Sequence, residues 1–125
     1  MTTTDHIGII GVGNMGGPMA HHLLDLGARL TVCDLNPQAI SPLTDRGASV
    51  AVSPKALADQ VDIIISSMPS HAASLQVALG ANGVVHGSRA KVYVETSTLG
   101  SATMRDMATA MAARHIGFQI GRAHV

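Results

Sequence analysis

The fold of this 125-residue chain is decided by residues 11–16, which read Gly-Val-Gly-Asn-Met-Gly. A short apolar run, residues 7–10, precedes them, and apolar residues then recur at helical spacing. A strand, a G-x-G-x-x-G turn and a helix in this order are typical of a dinucleotide-binding site. Gly11 permits the tight turn, Gly13 lets the backbone approach a pyrophosphate, and Gly16 allows the helix to pack closely on the strand.

A second feature of such sites is an acidic residue about 20 positions after the glycine turn, which binds the adenosine ribose hydroxyls. Asp34 stands at this position, at the end of the next β-type run. An acid there repels a 2′-phosphate, and the following Leu35 and Asn36 offer no arginine to receive one. The pattern therefore favours NAD over NADP as the cofactor.

The rest of the chain alternates between β-type runs and helical segments. Further strands are predicted over residues 30–33, 49–52, 61–66 and 91–95. Helices are predicted over residues 14–26, from an Asn36-Pro37 cap to Gly47, from a Ser53-Pro54 cap, from Ser70 to about Leu79, and from Ser101 to about Arg114. This alternation predicts an α/β fold with a parallel sheet covered on both faces.

Composition excludes several other classes of protein. Hydrophobic residues are 46% and charged residues 13%, which argues against disorder, and the formal net charge of zero offers no basic surplus for nucleic acid. Cys33 is the single cysteine, so neither an intramolecular disulfide nor a cysteine-based metal cluster can form. The start lacks signal-peptide character, and the longest aliphatic stretch, residues 63–65, cannot span a membrane. We therefore expect a cytoplasmic domain without metal, membrane or nucleic-acid partners.

Several chemically suggestive side chains have simpler structural interpretations. Cys33 is expected to pack in the core, and the adjacent His21 and His22 point in different directions along a helix, which disfavours a shared metal. His71 follows a strand at the ligand-binding end of the sheet, but nothing nearby in sequence orients it, so solvation is the favoured interpretation. Structural roles are also predicted for Asp62 and for the methionines at helical spacing, Met104, Met107 and Met111.

The chain resembles the β-hydroxyacid dehydrogenase family, which includes 3-hydroxyisobutyrate dehydrogenases and tartronate semialdehyde reductases. The resemblance rests on G-V-G-N-M-G-G-P-M-A at residues 11–20 and C-D-L-N-P at residues 33–37. Further matches are Gly47-Ala48, Ser53-Pro54, Met68-Pro69 and the E-T-S-T of residues 95–98. Together these matches extend to about Gln119.

This resemblance implies a Rossmann-type, doubly wound parallel sheet over residues 1–119 that binds NAD, with NADP possible. It places Ser97 beside the substrate carboxylate and Thr98 near the nicotinamide. The cofactor contacts that it implies are Gly11, Val12, Gly13, Asn14, Met15, Gly16, Asp34, Leu35, Asn36, Met68, Pro69 and Thr98. The expected reaction is hydride transfer between the nicotinamide and a short 3-hydroxy acid or its semialdehyde.

The chain also departs from the family pattern. Glu95 stands where members usually have Asp, Ser101 where they have Pro, and Ala73 where they often have Asn. The family's catalytic lysine belongs to a helical second domain with no counterpart here, and neither Lys55 nor Lys91 is placed to replace it. We therefore expect a truncated, catalytically incomplete fragment of an enzyme that is a homo-oligomer at full length. Residues 120–125 resemble a translated sequencing adapter and are expected to be a non-family tail.

Two alternatives remain open from sequence. One is a stand-alone module that senses a dinucleotide without catalysis; the Ser97-Thr98 pair counts against it, because a sensor needs no substrate-facing turn. The other is a fragment of an imine reductase or of a 6-phosphogluconate dehydrogenase-type relative. Pro18 and the Met68-Pro69 pair count mildly against that second alternative.

Overall fold

A computed structural model describes residues 5–120. Its centre is a six-stranded, all-parallel sheet with the strand order β3-β2-β1-β4-β5-β6. The strands are β1 His6–Ile10, β2 Arg29–Cys33, β3 Ser49–Val50, β4 Ile63–Ser66, β5 Val92–Glu95 and β6 Gly117–Ile120. This arrangement confirms the predicted Rossmann-type, doubly wound fold.

Helices cover both faces of the sheet because side chains alternate along each strand. The helices are α1 Gly16–Asp25, α2 Pro37–Thr44, α3 Pro54–Ala58, α4 His71–Leu79 and α5 Ser101–Ala112. In β1, Ile7 and Ile9 belong to one buried cluster, which includes side chains of α1 and α2. Ile10 belongs to a second buried cluster, which includes side chains of α3, α4 and α5. Met107 and Met111 of α5 are fully buried, as their spacing predicted.

Three helix starts follow the predicted capping residues. The Asn36 side chain accepts from Gln38 N–H at 3.0 Å, Ser53 Oγ accepts from Ala56 N–H at 3.0 Å, and Ser70 Oγ accepts from Ala73 N–H at 3.1 Å. Each bond satisfies an N–H that has no partner within the helix. Gly27 follows Leu26, the C-cap of α1, and its φ of 82° is the left-handed conformation that ends helices.

Several predicted boundaries are wrong. α1 begins at Gly16, not at residue 14, because residues 11–15 form the turn. β3 ends at Val50 and β5 begins at Val92. β4 begins only at Ile63, so Asp62 precedes the strand. α2 ends at Thr44 and α5 at Ala112. Sequence analysis also missed a 3₁₀ turn over Val84–His86 and the position of Pro42 inside α2.

The carboxyl-terminal boundary bears on the predicted tail. Ile120 pairs with Glu95 as the last residue of β6, so the strand includes the first residue of the proposed 120–125 segment. Residues 121–125 lie outside the described part of the chain. Within residues 5–120, no helix is both long and apolar enough to cross a membrane.

Candidate functional site

A crevice of about 730 Å³ opens at the carboxyl ends of the central strands. The sheet order reverses between β1 and β4, whose following connections pack on opposite faces, and ligands of such sheets bind at this switch point. The predicted residues that line the crevice are Gly11, Gly13, Asn14, Met15, Asp34, Leu35, Met68 and Pro69. The structure therefore brings most of the predicted cofactor contacts together.

The steric reason for having glycine differs among the three positions of the motif. Gly11 has a φ of 88°, and a Cβ there would overlap the carbonyl oxygen of Ser67. A Cβ on Gly16 would overlap the carbonyl oxygen of Gly11, so this glycine permits the close contact between α1 and the turn. A Cβ on Gly13 would meet nothing within 4 Å. The protein itself does not require Gly13, and the space left open there belongs to the crevice.

The backbone of the glycine turn offers donors for an anion. Val12 N–H is already used in a hydrogen bond to Asp34, and the Val12 side chain is buried in the core. Within residues 5–120, the N–H groups of Gly13, Asn14 and Met15 donate to no other group. They precede the amino terminus of α1, whose dipole favours negative charge. This donor set fits the pyrophosphate of a dinucleotide.

Asp34 joins the glycine turn to the start of α2. Its Oδ2 accepts from Val12 N–H at 2.8 Å, and its Oδ1 accepts from Asn36 N–H at 2.8 Å. Each carboxylate oxygen can accept a further hydrogen bond. The half-buried carboxylate is therefore held with one acceptor site per oxygen left for the two hydroxyls of a ribose. Asn36 itself lies outside the crevice lining and acts as the cap of α2.

A second cavity of about 290 Å³ continues from the turn toward β5. It shares Met15, Met68 and Pro69 with the larger crevice and is also lined by Ser97 and Thr98. The Ser97 hydroxyl donates to Met68 C=O at 3.0 Å and accepts from Met68 N–H at 3.3 Å. The turn after β5 is thereby held against the loop after β4.

His71 differs from the sequence interpretation in one respect. It is exposed at the start of α4, as expected, but its Nε2 is hydrogen-bonded to the Thr103 hydroxyl of α5 at 2.8 Å. Thr103 therefore does orient this side chain, which lines the second cavity. Sequence reasoning missed the contact because Thr103 lies far along the chain.

The remaining titratable candidates have structural surroundings. Cys33 is buried, and burial followed by the charge of Asp34 raises the pKa of its thiol to about 11, which leaves it protonated and unreactive. His21 is partly exposed, with its Nδ1 3.1 Å from Arg46 Nη1, and His22 is exposed. The Asp62 carboxylate accepts from His6 N–H and from Arg89 Nε, two bonds that lower its pKa. Within residues 5–120, no group of acidic, histidine or cysteine side chains could hold a metal ion.

Part of the crevice wall was not predicted from sequence. Val52 of the β3–α3 connection and Pro54, the first residue of α3, lie there with Leu35, which is fully exposed, as is nearly all of Val52. Pro54 was predicted only as part of a helix cap, and no local motif marks Val52, because its place depends on how β3 packs beside β2. Other lining residues that were not predicted include Ala73, Gln76 and Asn82.

The fold and this site define a dinucleotide-binding domain of the Rossmann class. A family profile described as the NAD binding domain of 6-phosphogluconate dehydrogenase matches residues 6–119. The chain belongs to this family.

Two 3-hydroxyisobutyrate dehydrogenases and an imine reductase are similar to this chain. A 3-hydroxyisobutyrate dehydrogenase from Pseudomonas aeruginosa is 38% identical over 111 residues, covering 86% of this chain and 37% of the relative. The solved structure of a 3-hydroxyisobutyrate dehydrogenase from Salmonella typhimurium has 30% identity and a TM-score of 0.82, covering 91% of this chain and 40% of that one. An imine reductase from Streptomyces aurantiacus has 26% identity and a TM-score of 0.78, covering 92% and 40%.

The relatives are longer proteins than this chain. The chain spans about a third of the length of the curated relatives that it matches, for example 32% of the rat 3-hydroxyisobutyrate dehydrogenase.

Proposed function

We propose that this chain binds NAD(H) in the 730 Å³ crevice, as the cofactor domain of an oxidoreductase acting on a short 3-hydroxy acid or its semialdehyde. The main support for this proposal is the position of the Asp34 carboxylate, which two backbone N–H groups hold beside the open glycine turn. In this arrangement the adenosine ribose lies on Asp34 and the pyrophosphate on residues 13–15. Leu35 and Val52 form apolar walls on the adenosine side.

The nicotinamide end belongs on the other side of the switch point. A dinucleotide extends across the glycine turn from the β2 side to the β4 side of such a sheet. The second cavity, with Met68, Pro69, Ser97 and Thr98, lies on that side. We assign Thr98 to the nicotinamide and Ser97 to the substrate carboxylate, in keeping with the family resemblance.

Bound NAD would be the hydride acceptor. The protein must hold the cofactor and substrate in position and must supply an acid–base group. Neither lysine of the chain does so: Lys55 Nζ pairs with Asp59 Oδ2 at 3.0 Å, and Lys91 precedes β5 at the amino-terminal edge of the sheet. The chain alone therefore binds cofactor without efficient turnover. Substrate choice and assembly into oligomers are properties that we assign to the whole protein.

The choice of a hydroxy acid over an imine as substrate follows the sequence relatives. The Pseudomonas aeruginosa dehydrogenase is 38% identical to this chain by sequence comparison. Among the solved structures, the Salmonella typhimurium 3-hydroxyisobutyrate dehydrogenase is 30% identical and the Streptomyces aurantiacus imine reductase 26% identical. A purely sensing module would have no use for hydroxyl side chains in a second cavity beside the cofactor.

Fluorescence of the reduced nicotinamide of NADH tests this proposal directly. We expect saturable enhancement on titrating NADH with the chain, reversed by excess ADP-ribose. With NAD⁺ and 3-hydroxyisobutyrate, we expect no NADH formation above the protein-free rate. An unchanged NADH spectrum contradicts the binding proposal, and steady NADH formation contradicts the assignment of an incomplete catalytic site.

A further inference from the structure

Glu95 is a fully buried acidic side chain outside the cofactor contacts described above. It is the last residue of β5, directly before the 96–98 turn that lines the second cavity. Burying a carboxyl group is costly unless its oxygens are hydrogen-bonded. Its partners therefore indicate what the fold gains from an acid at this position.

The partners of Glu95 come from three places in the fold. Its Oε2 accepts from Ser97 N–H at 3.2 Å and from the Ser74 hydroxyl of α4 at 3.4 Å. Its Oε1 accepts from the Tyr93 hydroxyl at 3.2 Å. None of the ion pairs found among residues 5–120 includes Glu95. The carboxyl group is thus held by neutral donors alone.

The contact with Ser97 places Glu95 behind the second cavity. Ser97 is also joined to both backbone groups of Met68 through its hydroxyl. Thr96 is joined to the end of β4, because its hydroxyl donates to Ser66 C=O at 2.7 Å. The cavity wall is therefore a hydrogen-bonded turn, and the buried Glu95 side chain accepts from one of its backbone amides.

We propose that Glu95 is a positioning residue that, by accepting the Ser97 amide, fixes the 96–98 turn against Met68 and so shapes the nicotinamide end of the crevice. This inference rests on the proposed function, since it takes the second cavity as the nicotinamide site. It concerns only that end, because the Asp34 and glycine-turn contacts do not include Glu95.

Calorimetric titration with NADH and with ADP-ribose separates the two ends, because ADP-ribose lacks the nicotinamide. Glu95→Ala should weaken NADH binding about tenfold, the size expected when a buried hydrogen-bond donor loses its acceptor, and change ADP-ribose binding by less than about twofold. Glu95→Gln keeps an acceptor for Ser97 and should restore the NADH affinity. Tyr93→Phe removes a different bond to the same carboxyl group and is the matched control with wild-type affinities for both ligands.

The outcomes are distinct. Equal losses for NADH and ADP-ribose in Glu95→Ala, or no loss for either, overturn the positioning role. So does a wild-type chain that binds both ligands equally well. If Glu95→Ala fails to fold, Glu95→Leu removes the acceptors at nearly constant volume and gives the same comparison. A wild-type chain that does not bind ADP-ribose contradicts the proposed function instead.

Discussion

Asp34 Oδ2 accepts a hydrogen bond of 2.8 Å from the backbone N–H of Val12, which lies inside the glycine turn. The acid expected to hold the ribose and the turn expected to hold the pyrophosphate are therefore one rigid unit. The second oxygen is fixed by Asn36 N–H in the same way. Because both bonds are to backbone groups, the position of the carboxylate depends little on neighbouring side chains.

Replacing Asp34 by Asn should weaken NADH binding about tenfold, since a charged acceptor for the ribose is lost. NADPH binding should fall less, because the repulsion of its 2′-phosphate disappears with the charge. Calorimetric titration of both cofactors measures the change in their ratio. Asp45→Asn alters the net charge equally at an exposed site outside the crevice and should leave the ratio unchanged.

Two glycines of the turn should respond in opposite ways to the same substitution. Gly13→Ala points a methyl group into open space, so the free energy of unfolding should change by less than about 1 kcal/mol while NADH affinity falls at least about tenfold. Gly16→Ala overlaps the Gly11 carbonyl and should lower the free energy of unfolding by more than about 2 kcal/mol. Urea unfolding and NADH titration of both variants check this. Equal effects on stability would contradict the steric assignment.

His6 should make the domain less stable in mild acid. Its side chain is largely buried, with Nε2 2.6 Å from Thr31 Oγ1, and burial followed by the charge of Arg29 lowers its pKa from 6.5. The unfolded chain therefore takes up the proton first, and the free energy of unfolding should fall as pH drops below about 6.5. Urea unfolding at pH 7.5 and 5.5 measures the loss. His6→Gln should reduce it, whereas His22→Gln, at an exposed site, should not.

Glu95 should make the domain less stable as the pH rises, which is opposite to the effect of His6. Burial raises the pKa of its carboxyl group above 4.5, so the folded chain holds this proton when the unfolded chain has released it. The stabilising contribution is complete below the unfolded pKa and is lost as pH rises through the folded value. Wild type should therefore lose stability relative to Glu95→Gln as the pH rises above 4.5. A difference between the two that is independent of pH would show that Glu95 titrates alike in both states.

The sequence predicted the parts of the site that depend on local pattern. The glycine turn, Asp34 and the helix caps are each defined by a few neighbouring residues. The structure confirms the turn and the caps and places Asp34 beside the turn, and the cofactor contacts of these residues stay a prediction. Glu95 was noted only as a departure from the family, because its burial depends on Ser74 and Tyr93 packing around it. The His71–Thr103 contact and the Val52 wall likewise depend on how distant elements pack. Side-chain environments of this kind have no signature in a single sequence.

The most direct test of the account is calorimetric titration of the chain with NADH and, separately, with NADPH. We expect one site per chain for NADH, with an affinity at least about tenfold higher than for NADPH, because Asp34 accepts from the free ribose hydroxyls and repels a phosphate. Absence of saturable NADH binding would contradict the assignment of the crevice to a dinucleotide. Tighter binding of NADPH would contradict the role given to Asp34.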